Sequence, residues 1–291
     1  MDDLRVLTPG DDAVPGAAVV NFAAFVTHMH EGVREARALG AHDVLIADSS
    51  VPDDTFNIIT LTRFAPDAID RRIAETVDAA RATGRPFTWW IDPLAPAGLV
   101  ERLEAAGLKQ SARGPIMSAD LAAAVETADA AVQTADAADA APAPTADGEL
   151  EIRRVTTEPE FAGFARVIAN CWDPPSRTAV EFLNMAARGM LGLERGGQSP
   201  TRTFVGYLRG EPVCCSQAML SDGVAGLYNV ATNAGYRRRG FGAAMTVAAL
   251  RDARALGYRT AVLEASPMGE PIYRRLGFAT CGEVIEYAVE P

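Results

Sequence analysis

Arg237-Arg238-Arg239-Gly240-Phe241-Gly242-Ala243 is the stretch whose residue types and spacing speak most directly of chemistry. It stands between a strand-like run at 226–232 and a helix-like run at 243–256. The first N–H groups of a helix have no internal partner and lie at the positive end of its dipole. A glycine there lets a phosphate reach the backbone with no Cβ in the way, and arginines add forked, charged donors. The ligand this suits is a pyrophosphate, hence a nucleotide cofactor. A P-loop is excluded because no Gly-Lys-Ser/Thr follows, and the dinucleotide fingerprint fails at its third glycine, where Met245 stands.

About one strand and one short helix later comes Glu270-Pro-Ile-Tyr-Arg-Arg-Leu-Gly-Phe278. With Arg237-Arg-Arg-Gly-Phe-Gly242 before it and Tyr273 four residues ahead of Gly277-Phe278, residues 149–291 resemble the GNAT superfamily of acyl-CoA-dependent N-acetyltransferases. The resemblance implies acetyl-CoA as acyl donor. Its pyrophosphate would lie on Arg237, Arg238, Arg239, Gly240, Phe241, Gly242 and Ala243. Its pantetheine arm would pair with the backbone of Val230, Ala231 and Thr232, on a strand that splays from its neighbour. Tyr273 fits the general acid: a phenol with a reference pKa of about 10 stays protonated beside a thiol of about 8.5 and can donate to a departing thiolate. For the base, the strand 227–232 offers no carboxylate. Glu264, on the next strand, is the nearest candidate, with a buried Glu264–arginine pair as the alternative reading. Asn229 or Tyr228 ordering a water is a further option. Ser266 and Glu270 flank the short helix, where a cap or turn role is the default for Ser266.

Composition narrows the function further. An apolar content of 48% fits a globular protein. There is no long apolar run for a membrane span, and the acidic start Met1-Asp-Asp argues against export. Cys171, Cys214, Cys215 and Cys281 include no Cys-x-x-Cys pair, and adjacent Cys214 and Cys215 would face opposite sides of a strand. Reduced thiols in a cytoplasm are the plain expectation. His28, His30 and His42 all precede residue 117, so the second half holds neither a Ser-His-Asp triad nor histidine metal ligands. His28 and His30 are expected on a helix surface or in the core. The net charge of −11 falls on the first half and the middle, which argues against nucleic acid as partner. A homodimer is left open.

Residues 118–148 hold 14 alanines, six acids and no Lys or Arg, and end in Ala-Pro-Ala-Pro-Thr-Ala-Asp-Gly. Little to bury and prolines near the end predict a linker. On either side the element order repeats. Strand 226–232, helix 239–256, strand 258–265, short helix 268–276 and strand 282–289 answer 56–62, 66–83, 86–91, 97–106 and 111–117. The endings correspond too: Arg81-Ala-Thr-Gly84 with Arg254-Ala-Leu-Gly257, and Leu103 to Leu108 with Tyr273 to Phe278. The expected fold is therefore α/β: two tandem GNAT-like domains at 1–117 and 149–291, each a mixed, largely antiparallel sheet flanked by helices. The first copy lacks the glycine turn, places Pro66 and Asp67 where a phosphate would sit, and has Leu103 at the tyrosine position. It reads as a degenerate domain that supports or shapes the second. Phe87, Trp89 and Trp90 are expected in strand core and interface. The function implied is acetyl transfer to a primary amine of a small molecule, with peptide or protein amines and a non-catalytic acyl-CoA sensor as alternatives. The acceptor is expected to be selected by residues 170–197 and by loops the sequence does not place.

Overall fold

The computed structural model describes residues 6–33, 37–39, 42–133, 149–193 and 196–291. The first half runs α1 (Val14–Glu31), β1 (Arg37–Leu39), β2 (Leu45–Asp48), β3 (Ile58–Thr60), α2 (Ile69–Arg81), β4 (Phe87–Ile91), α3 (Leu99–Ala105), β5 (Lys109–Asp120) and α4 (Leu121–Gln133). The second runs β6 (Glu151–Arg154), α5 (Glu158–Ala169), α6 (Arg177–Met190), β7 (Thr201–Leu208), β8 (Glu211–Ser221), β9 (Val224–Thr232), α7 (Phe241–Ala255), β10 (Thr260–Glu264), α8 (Glu270–Arg275) and β11 (Ala279–Val289).

The repeat seen in the sequence is present in the hydrogen bonding. Leu108 N–H donates to Leu103 O at 3.1 Å, and Phe278 N–H donates to Tyr273 O at 3.0 Å, so α3 and α8 end in the same six-to-one closure. The helices after β3 and β9 close alike, through Gly84 N–H to Arg81 O and Gly257 N–H to Arg254 O. In both halves the strand before the long helix is parallel to the strand after it: β3 with β4, β9 with β10.

The two sheets are not separate. All eleven strands form one sheet in the order β1-β2-β3-β4-β11-β5-β10-β9-β8-β7-β6. β11, from the second half, lies between β4 and β5 and is antiparallel to both. β5, from the first half, lies between β11 and β10. Each half thus lends its last strand to the other, a non-local pairing that no local hydrophobic pattern announces.

The expectation of a linker over residues 118–148 needs correction at its start. Residues 118–120 finish β5 and residues 121–133 are α4, whose Leu121, Ala124, Val125 and Ala128 are buried in one core with Phe241, Met245 and Leu250 of the second half. Alanine is a strong helix former, and its small side chain lets α4 pack closely on α7. Residues 134–148 lie outside the described residues.

Helices cover both faces. α7, α4 and α8 share one core on one face. On the other, α5 and α6 pack beside α1, which crosses over from the first half onto β8 and β9. α5 starts with a capping box between Thr157 and Glu160, and α6 with Ser176 bonded to Ala179 N–H. Cys214 and Cys215 belong to cores on opposite faces, as alternation predicts.

Candidate active site

The site begins at a flaw in the β8–β9 ladder. Cys215 pairs with Ala231 and Gln217 with Tyr228, so Asn229 and Val230 together oppose Ser216. Asn229 takes the left-handed conformation at φ 53°, which asparagine tolerates better than most residues. Its amide Nδ2 donates to Gln217 Oε1 at 2.7 Å, and Gln217 Nε2 donates to Thr203 Oγ1 at 2.8 Å. This chain fixes the bulge, and with it the place where β9 bends away.

On its other side β9 pairs with β10 only through Ala225, Gly226 and Leu227. From Tyr228 onward β9 has no partner on that edge, so the backbone of Val230, Ala231 and Thr232 faces the gap the sequence led us to expect. β9 ends in a short 3-10 turn, Ala234–Tyr236, and the arginines follow. Arg238 sits at φ 62° and Gly240, the residue before α7, at φ 76°. Glycine reaches that region without the penalty a Cβ imposes. No side chain caps α7, so its first N–H groups remain outward-facing. Arg237 is held by Nε donating to Thr232 O at 3.1 Å, Arg239 lies over the Tyr236 ring at 5.5 Å, and Arg238 is exposed without a partner among the described residues. Open donors, a left-handed glycine, an unpaired cation and a free strand edge form a continuous track that fits a pyrophosphate with an amide-bearing arm. The residues present suit the CoA portion of an acyl donor.

A cavity of about 320 Å³ opens beside this track. Asn229, Val230, Glu264, Ser266 and Tyr273 from the second half face it. Tyr273 is buried, packed edge-on against Phe278 with ring centres 5.8 Å apart, and burial pushes its phenol up to about 12. Its hydroxyl has no hydrogen-bond partner among the described residues. Glu264 likewise has neither hydrogen bond nor ion pair among them, so the alternative of a structural arginine partner is not what the structure shows. Burial first, and the nearby Glu286 second, push its carboxyl up to about 8. A buried phenol and a carboxyl with a raised pKa thus line the same cavity.

Other candidates fall into place as scaffold. Tyr228 donates its hydroxyl to Asn21 Oδ1 at 2.8 Å and stacks on Phe25 with ring centres 4.2 Å apart, so that hydroxyl is committed to α1 rather than to ordering a water. Gly226 makes this possible, because a Cβ there would stand 2.0 Å from Asn21 Oδ1. Ser266 Oγ accepts from Gly269 N–H at 3.2 Å, the turn role expected of it, and Glu270 pairs with Arg274. His28 and His30 are buried on α1: the ring of His28 meets Ser199 Oγ, and that of His30 meets the carbonyls of Val26 and Phe56.

Two expectations are revised. Nothing from residues 170–197 lines the cavity among the described residues; α6 packs on α5 and α1 instead. The wall comes from the first half, through α1, the segment 55–60 and Trp90. Phe87 and Trp89 are core as expected, while Trp90, pointing to the opposite face, reaches the cavity. The alternation of strand residues around Trp90 was the available signal; the partner across the gap was not readable locally.

In the first half the chain leaving β3 is tied back to β4. Trp89 Nε1 donates to Thr62 Oγ1 at 2.9 Å, Arg63 pairs with Asp92 at 3.0 Å, and buried Phe64 meets the Trp89 ring edge-on. Leu103, at the position answering Tyr273, is wholly buried.

Residues 151–281 match a family model described as an acetyltransferase (GNAT) domain. The chain carries a GNAT acetyltransferase domain. GNAT enzymes take acetyl-CoA as donor. Solved structures agree on the fold. A GCN5-related N-acetyltransferase from Kribbella flavida superposes with a TM-score of 0.61 at 17% identity, covering 94% of this chain and 95% of that one. A GCN5-related N-acetyltransferase from Sphaerobacter thermophilus gives 0.54 at 15%, covering 99% and 95%. A tandem GNAT protein from the clavulanic acid biosynthesis pathway gives 0.52 at 17%, covering 98% of each chain. No curated protein matches the chain. Outside the GNAT domain, as within it, no helix among the described residues is long and apolar enough to cross a membrane.

Proposed function

We propose that the protein transfers an acetyl group from acetyl-CoA to a primary amine of a small molecule in the cytoplasm. It would do so with one working site, in residues 149–291, and with residues 1–117 as a degenerate GNAT-like copy. The observation that carries this is the convergence of two unpartnered groups, the Tyr273 hydroxyl and the Glu264 carboxyl, on one cavity beside the Arg237–Ala243 turn. Arg238, the open N–H groups of α7 and the backbone of Val230 to Thr232 hold the donor's phosphates and arm. When bound, acetyl-CoA supplies a thioester: the amine nitrogen forms the new C–N bond as the C–S bond breaks. Glu264, once ionised, accepts the proton the amine must shed. Tyr273 keeps its proton throughout the physiological range and donates it toward the sulfur as charge develops there. Burial strengthens both interactions by excluding competing water.

Release of free thiol from acetyl-CoA across a panel of small amines, with calorimetry of CoA binding, tests this. Amine-dependent thiol release with one CoA bound per chain is expected. CoA binding with no turnover for any amine would make the protein an acyl-CoA sensor, and no CoA binding would remove the reading altogether.

A further inference from the structure

Resting on that reading, the cavity itself says something about the acceptor. Glu264, Tyr273 and Asn229 stand on its second-half side. The opposite wall belongs to the first half and is mainly apolar, with Phe22, Phe25 and Met29 on α1 and Phe56, Ile58 and Trp90, its polar members being Thr55, Thr60 and Asp92. Phe22 and Trp90 have ring centres 4.6 Å apart, Phe25 stacks on Tyr228, and Phe56 packs on Phe182 at 4.7 Å. Each ring is held by a neighbouring ring, and what the wall offers a ligand is mainly apolar surface. Asp92, the other acid of the lining, is already paired with Arg63. Among the lining residues, a second ammonium at this wall finds no free carboxylate, and desolvating it there is costly; the half-buried Glu286 stands behind the wall, beside Trp90 in the sheet.

We infer that the acceptor is a primary amine borne on a single compact apolar body, of the size of one aromatic ring system, and that the first half of the chain reads that body. The nitrogen end meets Glu264, the lining carboxylate that has no ion-pair partner among the described residues. The body fills the wall made by Phe22, Phe56 and Trp90. A cavity of about 320 Å³ stands at the small end of ligand sites and suits such an amine together with the thioester end. α1 closes the side toward β8 and β9, anchored by Asn21 Nδ2 donating to the carbonyls of Met219 and Val224.

The test uses the full chain saturated with CoA or acetyl-CoA. The probes are 2-phenylethylamine, 1,4-diaminobutane and a short lysine peptide, each read by calorimetric binding and by kcat/KM from thiol release. Phenylethylamine should be preferred over the diamine by on the order of 100-fold, given what apolar complementarity supplies. Phe22→Ala and Trp90→Leu should each raise its KM roughly tenfold or more while the CoA Kd stays put, and Trp90→Phe should recover most of the loss. The unchanged CoA Kd reports that each variant has folded. Binding of phenylethylamine without turnover would uphold the pocket and break only the proposed reaction. Equal or better use of the diamine or the peptide would overturn the inference. So would absence of phenylethylamine binding, or variants that affect all three amines alike.

Discussion

Set side by side, the two halves share a framework and differ where a cofactor would lie. In the second, α7 starts at an uncapped left-handed glycine beside a free strand edge. In the first, α2 starts after Pro66 and Asp67 with Ala68 at its cap, and Thr62 and Arg63 are bonded back to β4 and its following loop. One half keeps a tyrosine with an open hydroxyl; the other has a buried leucine. What the first half retains is everything that holds it against its neighbour: α1 over β8 and β9, β5 in the shared sheet, and aromatic side chains at the cavity. On the proposed reading, the first half serves the second half's site through these surfaces rather than through a cofactor site of its own.

The contrast can be attacked first at Tyr273. Tyr273→Phe keeps the ring against Phe278 and removes only the hydroxyl, so turnover should fall by about 10²- to 10⁴-fold with CoA affinity unchanged. Near wild-type kcat in a pH series would show that water or another group protonates the sulfur. The next largest effect lies at the turn. Arg238→Asn removes the charge with a residue that tolerates φ 62°, and should weaken CoA by about 1.5–3 kcal/mol, roughly ten- to a hundredfold. Asp67→Asn in the first half should leave CoA stoichiometry at one per chain; a second bound CoA in calorimetry would erase the asymmetry.

Glu264 gives a smaller, pH-dependent signal. It must be ionised to accept a proton, and its carboxyl is pushed up to about 8, so kcat/KM should rise with pH through that value. One unit below, it should stand at roughly a tenth of its plateau, and Glu264→Gln should abolish the rising limb. A limb that survives the substitution assigns the base elsewhere. The smallest effect is on stability. Because folding raises this pKa, the native state binds the proton more tightly. That contribution is complete below the ordinary value of 4.5 and is lost as pH rises through about 8. Glu264→Gln, neutral throughout, should therefore gain in melting temperature relative to wild type between pH 5 and pH 9; a constant difference would refute the burial argument.

Local elements were legible because their signals are local. The glycine turn and the α3 and α8 endings follow from residues within a few positions of one another, and Tyr273 was singled out by its spacing to Gly277-Phe278. What escaped depends on partners far along the chain. The Asn229 bulge needs Gln217 and Thr203 to fix it. Trp90 was expected in core or interface, and only the opposing α1 shows the cavity it faces. Residues 118–133 looked too poor in large apolar groups to pack, yet Leu121 and Val125, with Ala124 and Ala128 between and beyond them, bury against Phe241, Met245 and Leu250 of α7. Selection of the acceptor was expected from residues 170–197 and from loops the sequence does not place, whereas the first-half wall of the cavity comes from across the interface, from α1, residues 55–60, Trp90, Asp92 and Ile116.

The exchanged strands also give the molecule a history each time it is made. Arg113 and Glu283, paired across β5 and β11, are 170 positions apart. While the intervening chain is being synthesised, β4 and β5 wait without the strand that joins them, offering bare edges of the kind that pair with other chains. The entropy of closing so long a loop grows only by about 0.6 kcal/mol per doubling, so the delay falls on the rate of folding more than on final stability. The sheet can close only once β11, the last of the described strands, has reached its place between β4 and β5.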